Sequence, residues 1–347
     1  MNQPLSLFQS CMPQLKSTRS QIFQSFSTFL RPQQSIVFVD TDAGFDDVLA
    51  ISSIINTKSA NVPFISTVGG IQDNPERASQ FLSKVYPSTN VVVAGFPQKP
   101  VDKVPSWLLE FRRKLDEIMN SMNVMAKDDV RASHEIQSKM QSDMQNSLQK
   151  YPDQSIDLFC LGPLTNVASW INDENTLSLL DCKLQSVWIM GGNTPGMDGN
   201  KEAEFNFAQD PKAVKAVLTS PILKERINLV TAQACSKNVI DVDEWNEIVE
   251  RGKKSQGILS KVFEVESSWD NLKYDPVSAF VLAHSTSSDI VTMKTMEVKV
   301  DEQTGLLVSS ESNHAENALI NFVDEVKIGS EFLSFMTSTI ANDPELV

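Results

Sequence analysis

No apolar run in this chain reaches the roughly 18 to 20 residues that a membrane-spanning helix needs. Nor is there a basic stripe interleaved with aromatics that could neutralise the phosphates of a nucleic acid. Lysine and arginine number 30 against 44 aspartates and glutamates, a formal net charge of −14, so nucleic acid and anionic membranes are poor partners. The four cysteines, Cys11, Cys160, Cys182 and Cys235, lie far apart without any CxxC spacing. Two fall in or near apolar runs, where a thiol packs as a small hydrophobe, and a reducing compartment fits. Acidic residues are missing from the first 35 positions, which hold Lys16, Arg19 and Arg31 among many Ser and Gln and no apolar core of secretory-signal length. Residues 1–35 are therefore expected to be either a disordered extension or an organellar transit segment. The first reading implies a cytoplasmic protein and the second a mitochondrial one. Glycine is absent between Gly95 and Gly162, and residues 105–150 are dense in Lys, Asp, Glu, Gln and Met. One long or two shorter helices with a solvated face are expected there, with Met as core-facing filler.

What is present is a length of 347 residues with 41% apolar content, enough for a sizeable core. From residue 36 short β-branched or aromatic runs alternate with segments of helical period. The runs are IVFV (36–39), PFISTV (63–68), NVVVAG (90–95), IDLFCLG (156–162), SVWIMGG (186–192) and INLVTA (227–232). This spacing predicts βαβ crossovers and an α/β domain over 36–347, with an open, mainly parallel twisted sheet and helices on both faces. In such a sheet the ligand crevice lies outside the carboxyl ends of the strands.

At the first of those ends, IVFVDTDAGFDD (36–47) places Asp40, Asp42, Asp46 and Asp47 within eight positions. A helix N-terminus accounts for one of these carboxylates. Four packed at a crevice repel and raise one another's pKa unless something positive balances them, and no Lys or Arg occurs between Arg31 and Lys58. A bound metal is the simplest counter-charge, and all-oxygen ligation points to Ca²⁺ or Mg²⁺ over zinc. A solvated acidic turn is the plain alternative.

Three further segments follow in order: LGPLTNVASWI (161–171), VWIMGGNTPGMDGNKEAEFNFAQDPKAVKAVL (187–218) and YDPVSAFVLA (274–283). Together with the acidic motif they resemble the inosine-uridine nucleoside hydrolase family over residues 36 to about 340, including a C-terminal ribbon at MEVKVDEQTGLLV (296–308) and a closing helix. The resemblance implies a Rossmann-like α/β enzyme that cleaves the N-glycosidic bond of a ribonucleoside, releasing ribose and a base, with Ca²⁺ as cofactor and a homodimer or homotetramer as the assembled form. Asp42, Asp47 and Asp275, with the carbonyl of Leu161, match the Ca²⁺ shell, and Asp42 also matches the general base for the attacking water. Asp46, Asn200, Glu204 and Asn206 match groups that hold the ribose hydroxyls, and Met190 matches the apolar contact beneath the sugar. Such hydroxyl-binding groups would disfavour a 2′-deoxy sugar, and a carboxylate-rich pocket suits an oxocarbenium-like transition state.

Plainer roles remain open for several of these residues. Asn200 could be a turn residue, and Asp275 before Pro276 a helix N-cap. Glu204 and Asn206, two apart, would share one face of an extended segment. Thr165 and Asn166 are expected to cap the following helix. None of His134, His284 and His314 sits in a matched motif, so each is expected at the surface or in ordinary packing.

The departures from the family pattern lie on the leaving-base side or the rim. Tyr274 stands where His is common, Gly70 where Asn often follows the second strand, and Ala43 where the first motif has Pro. The Gly-free segment replaces a His-Gly loop. Retained Ca²⁺ and ribose binding with altered base activation is the expectation, with Tyr274 a candidate donor to the departing base. Two other classes compete: a phosphatase of the haloacid dehalogenase type, whose pattern fits IVFVDTDAG only superficially, and a catalytically silent relative serving as an assembly subunit.

Overall fold

A computed structural model describes residues 34–96, 104–124, 133–196, 202–237, 240–310 and 317–346. Almost all of the expected N-terminal extension, together with Asn200 and His314, lies outside these residues. The chain enters at β1 (Ser35–Thr41) and alternates with helices through α1 (Phe45–Asn56), β2 (Ala60–Thr67), α2 (Pro75–Val85) and β3 (Val91–Ala94). Two long helices, α3 (Ser106–Ser121) and α4 (Ser133–Leu148), precede β4 (Ile156–Cys160), α5 (Thr165–Ile171), α6 (Glu174–Lys183) and β5 (Leu184–Met190). Next come α7 (Phe205–Gln209), α8 (Pro211–Leu218) and β6 (Ile227–Val230), then five helices: α9 (Ala232–Ser236), α10 (Val242–Gly252), α11 (Ile258–Val265), α12 (Trp269–Leu272) and α13 (Tyr274–Ala283). The chain closes with β7 (Val291–Val300), β8 (Leu307–Ser309), β9 (Ala318–Val326) and α14 (Ser330–Ala341).

Among the described residues nine strands form one sheet in the order β3-β2-β1-β4-β5-β6-β9-β7-β8. Pairing is parallel from β3 across to β9, and only β7 runs antiparallel to its neighbours β9 and β8. The expected α/β class, the six runs and the C-terminal ribbon are all present; β9, inserted between β6 and the ribbon, is the strand the sequence pattern did not single out. From β1 the chain crosses to β2 on one side, and β4 later pairs on the other. That reversal opens a crevice at the carboxyl ends of β1 and β4.

The pleat of β1 explains why both faces are covered. Val37 and Val39 belong to one apolar core, with Phe45, Phe81, Phe263 and Phe280, whereas Phe38 belongs to the other, with Phe64, Trp170 and Phe207. Each large side chain so buried stabilises the fold by about 1.5 to 3 kcal/mol relative to exposure. The Gly-free segment supplies a helix to each core: α3 buries Leu115, Ile118 and Met119 in the first, and α4 buries Met140, Met144 and Leu148 in the second. Met is core filler there, as expected. Cys160 and Cys235 are buried thiols, His134 is exposed, and the His284 ring packs on Phe280 with Nδ1 at 2.8 Å from the Phe280 carbonyl. No helix among the described residues is long and apolar enough to cross a membrane.

Two capping expectations fail. Leu164 is the residue before α5 and makes no side-chain cap. Thr165 Oγ1 instead donates to Asp210 (2.9 Å), while the Asn166 amide donates to Asp40 Oδ1 (2.8 Å) and the Thr67 carbonyl (3.0 Å) and accepts from Phe96 N–H (3.0 Å). Asn166 is a fully buried tie between the ends of β1, β2 and β3. Asp275 is likewise no N-cap: it follows Tyr274 as the second residue of α13, after Lys273.

Candidate active site

The β1–α1 turn is organised by its own side chains. Ala43 has φ 59°, the left-handed region, which costs an L-residue about 1 to 2 kcal/mol and is closed to proline. Alanine at this position is therefore part of the turn's shape. Ala43 N–H donates to Thr41 Oγ1 (3.0 Å), whose hydroxyl donates to Asp47 Oδ1, and Gly44 N–H donates to Asp47 Oδ2 (3.0 Å). Asp47 thus closes the first turn of α1, where the macrodipole favours negative charge. Asp42 Oδ2 accepts Ile71 N–H at 2.8 Å.

Further strand ends, helices and loops complete a cavity of about 450 Å³ around this turn. The end of β4 brings Leu161, β5 brings Met190, α7 brings Glu204, Phe205 and Asn206, α13 brings Tyr274 and Asp275, and α3 brings Trp107 and Phe111. Every described residue singled out from the sequence for this site lines it. Asp46, Asp47 and Asp275 each bring a carboxylate oxygen within 4.8 Å of the others. Asp42 adjoins them through a carboxylate contact with Asp47.

Only Glu204 of the Glu204–Asn206 stretch is extended, since Phe205 and Asn206 already belong to α7. Glu204 is the N-cap of α7, and its carboxylate accepts Asn206 N–H (2.9 Å), Phe207 N–H (3.2 Å) and Gly192 N–H (3.0 Å). Asn206 stands in the first turn, with its amide donating to the Leu161 carbonyl at 2.9 Å. A spacing of two is too short to tell strand from helix start; satisfaction of the helix's unpaired N–H groups decides it. Trp107 and Phe111, one helical turn apart on α3, were not singled out from sequence. Their i, i+4 spacing was a signal in a segment otherwise charged, but nothing local says which wall they face. Trp107 meets Phe205 edge-on at 5.4 Å and Phe111 at 6.0 Å.

Burial raises the pKa of Asp42, Asp46 and Asp275 well above the usual carboxylate range, with the charge of Asp47 next in importance. Asp47 and Glu204 are raised too, chiefly by burial. Among the described residues no Lys or Arg lines the cavity. Asp275 Oδ1 is buried without a hydrogen-bond partner, an unsatisfied charge-bearing atom that calls for a ligand. Carboxylates in mutual contact, an unpaired oxygen and a carbonyl with a second lone pair make a donor set that fits a hard cation. Behind the crevice, Asp40 is fully buried, held by Ser66 Oγ (2.6 Å) and Asn166, with its pKa raised to about 7 by burial.

Comparison with known proteins gives a consistent result. The family model described as inosine-uridine preferring nucleoside hydrolase matches residues 37–330. The non-specific ribonucleoside hydrolase RihC of Escherichia fergusonii is 25% identical over 192 residues, covering 54% of this chain and 58% of that protein. Uridine nucleosidase 1 of Arabidopsis thaliana is 26% identical over 281 residues, covering 77% of this chain and 78% of its own. Among solved structures, the plant nucleoside hydrolase PpNRh1 superposes with a TM-score of 0.68 at 17% identity, covering 89% of this chain and all of that one. An inosine-uridine preferring nucleoside hydrolase from Bacillus anthracis superposes at 0.66, also at 17% identity, covering 89% and 99%. These structural likenesses concern the fold.

Proposed function

Because the chain belongs to the inosine-uridine preferring nucleoside hydrolase family, we propose that it hydrolyses the N-glycosidic bond of a ribonucleoside, with Ca²⁺ held by Asp42, Asp47, Asp275 and the Leu161 carbonyl. The observation that carries this reading is the convergence of Asp42, Asp46, Asp47 and Asp275 in one cavity at the switch point of the sheet. When bound, the cation would offset the carboxylate charge and acidify a water in contact with it. Asp42 would act as the general base, taking a proton from the water that attacks the sugar's anomeric carbon. Asp46, Glu204 and Asn206, with Asn200 outside the described residues, would hold the ribose hydroxyls above Met190. The acidic floor would stabilise positive charge developing on the sugar. Trp107, Phe111 and Tyr274 would face the base, with Tyr274 the candidate donor to it as it leaves. By resemblance the working form is a homo-oligomer.

The test is reducing-sugar release from inosine, uridine, adenosine and cytidine in Ca²⁺, with wild type beside Asp42→Ala. Release that the substitution abolishes is expected. No release from any of them, with Ca²⁺ still bound by calorimetry, would favour the silent assembly subunit, a reading that the Tyr274 departure keeps open.

A further inference from the structure

We propose that Arg112 of α3 is the positioning residue for Asp42, acting through the peptide group between Gly70 and Ile71; the proposal rests on the role of Asp42 given above. The Arg112 side chain is only 12% exposed. Its guanidinium spans one turn: Nη2 donates to the Gly70 carbonyl (2.9 Å), Nε to the Ile71 carbonyl (2.7 Å) and Nη1 to Asp73 Oδ2 (3.0 Å). The Gly70 carbonyl and the Ile71 N–H belong to a single planar unit. Arg112 therefore grips one end of that unit while the other end donates to Asp42 Oδ2 at 2.8 Å. A cation on the carbonyl also polarises the N–H, strengthening its bond to the carboxylate. The same turn holds the Asp42 backbone, since Gln72 N–H donates to the Asp42 carbonyl (3.2 Å).

Gly70 is the other half of the device. A Cβ at that position would lie 2.0 Å from Asp42 Oδ2 and 2.7 Å from Asp42 Cβ. The carboxylate occupies the volume a side chain at residue 70 would need. Asp42 is thus seated by an absence on one side and by a peptide clamped from α3 on the other. Lysine could not reproduce the grip, because a single ammonium cannot bridge two adjacent carbonyls in the planar geometry of a guanidinium.

The experiment uses the full chain with Arg112→Met, Arg112→Lys and Gly70→Ala, each alone and with Asp42→Ala. In metal-free protein, exchange of the Ile71 amide, followed by NMR, should quicken at least about tenfold in Arg112→Met and in Asp42→Ala, and no further in the double variant. Ca²⁺ affinity by calorimetry should weaken about 10- to 100-fold in Arg112→Met, the range found for groups that orient metal ligands. It should weaken less in Arg112→Lys and again in Gly70→Ala, where Asp42 is displaced from the opposite side. In the Asp42→Ala background, Arg112→Met should change Ca²⁺ affinity less than about threefold, because the side chain through which it acts is gone. Effects that add in the double variant, or Ile71 exchange unmoved by Arg112→Met, would overturn the proposal. Wild type that binds no Ca²⁺ would sink the metal reading instead, and Ile71 exchange would still decide the positioning. If Arg112→Met fails to fold, Arg112→Lys and Gly70→Ala carry the same comparison.

Discussion

Replacing Asp40 by asparagine should stabilise the metal-free protein by about 4 kcal/mol at pH 8 and by only about 1 to 2 kcal/mol at pH 5. Asp40 is fully buried in β1; its Oδ1 accepts from Ser66 and Asn166, and its Oδ2 has no partner. Burial raises its pKa from 3.8 to about 7. The folded state therefore keeps a proton that the unfolded chain has already lost. Its contribution to stability is complete below about pH 4 and disappears as pH rises through about 7. Roughly three pH units, at about 1.4 kcal/mol each, amount to about 4 kcal/mol, of which roughly 3 kcal/mol falls between pH 5 and pH 8.

Asparagine has the shape of the protonated acid and no charge to bury. Its Oδ1 can accept both existing hydrogen bonds, with the amide group where Oδ2 now stands. Urea unfolding in EDTA at both pH values reads the difference: a midpoint gap that is small at pH 5 and widens to about 1 M or more at pH 8, with Asp40→Asn the more stable at both. Parallel pH curves for the two proteins, or a variant less stable at pH 8, would refute the argument that burial of this carboxyl is what the fold tolerates.

The carboxylates of Asp42, Asp46, Asp47 and Asp275 have raised pKa values in the metal-free protein, so ligation must expel protons. Saturating Ca²⁺ should raise Tm more at pH 8 than at pH 5, and calorimetry in buffers of different ionisation heat should detect proton release; a pH-independent Tm gain would contradict this. Trp107→Ala, which removes an aromatic wall, should raise KM for a hydrolysed nucleoside about tenfold with kcat within about threefold, because edge-on and stacked aromatic contacts are worth about 0.5 to 1.5 kcal/mol beyond their area. A fall in kcat at unchanged KM would place Trp107 in the chemistry instead. Asn166→Ala should destabilise by about 2 to 4 kcal/mol in urea unfolding, since the Phe96 N–H is left unmet while Asp40 and the Thr67 carbonyl each keep one of two partners, Ser66 and the Gly95 N–H; a loss below about 1 kcal/mol would mean water replaces the amide.

The parallel sheet was legible because its strands are short apolar runs bounded by turns, and the acidic pocket because four aspartates cluster just after the first strand, where an open sheet puts its crevice. What the sequence hid is non-local. Asn166 reads as a cap from its neighbours but ties three strand ends, and Glu204 and Asn206 read as one extended segment, whereas the chain turns helical at Phe205 and Glu204 caps it. Three departures that look like separate losses belong to one neighbourhood around Asp42. Ala43 takes a backbone conformation closed to proline, Gly70 vacates the space that the Asp42 carboxylate fills, and the Gly-free segment becomes a helix whose Arg112 reaches back 41 and 42 positions to the turn beside it. Together they satisfy one another, which is why no single position, read along the chain, could reveal what the others compensate.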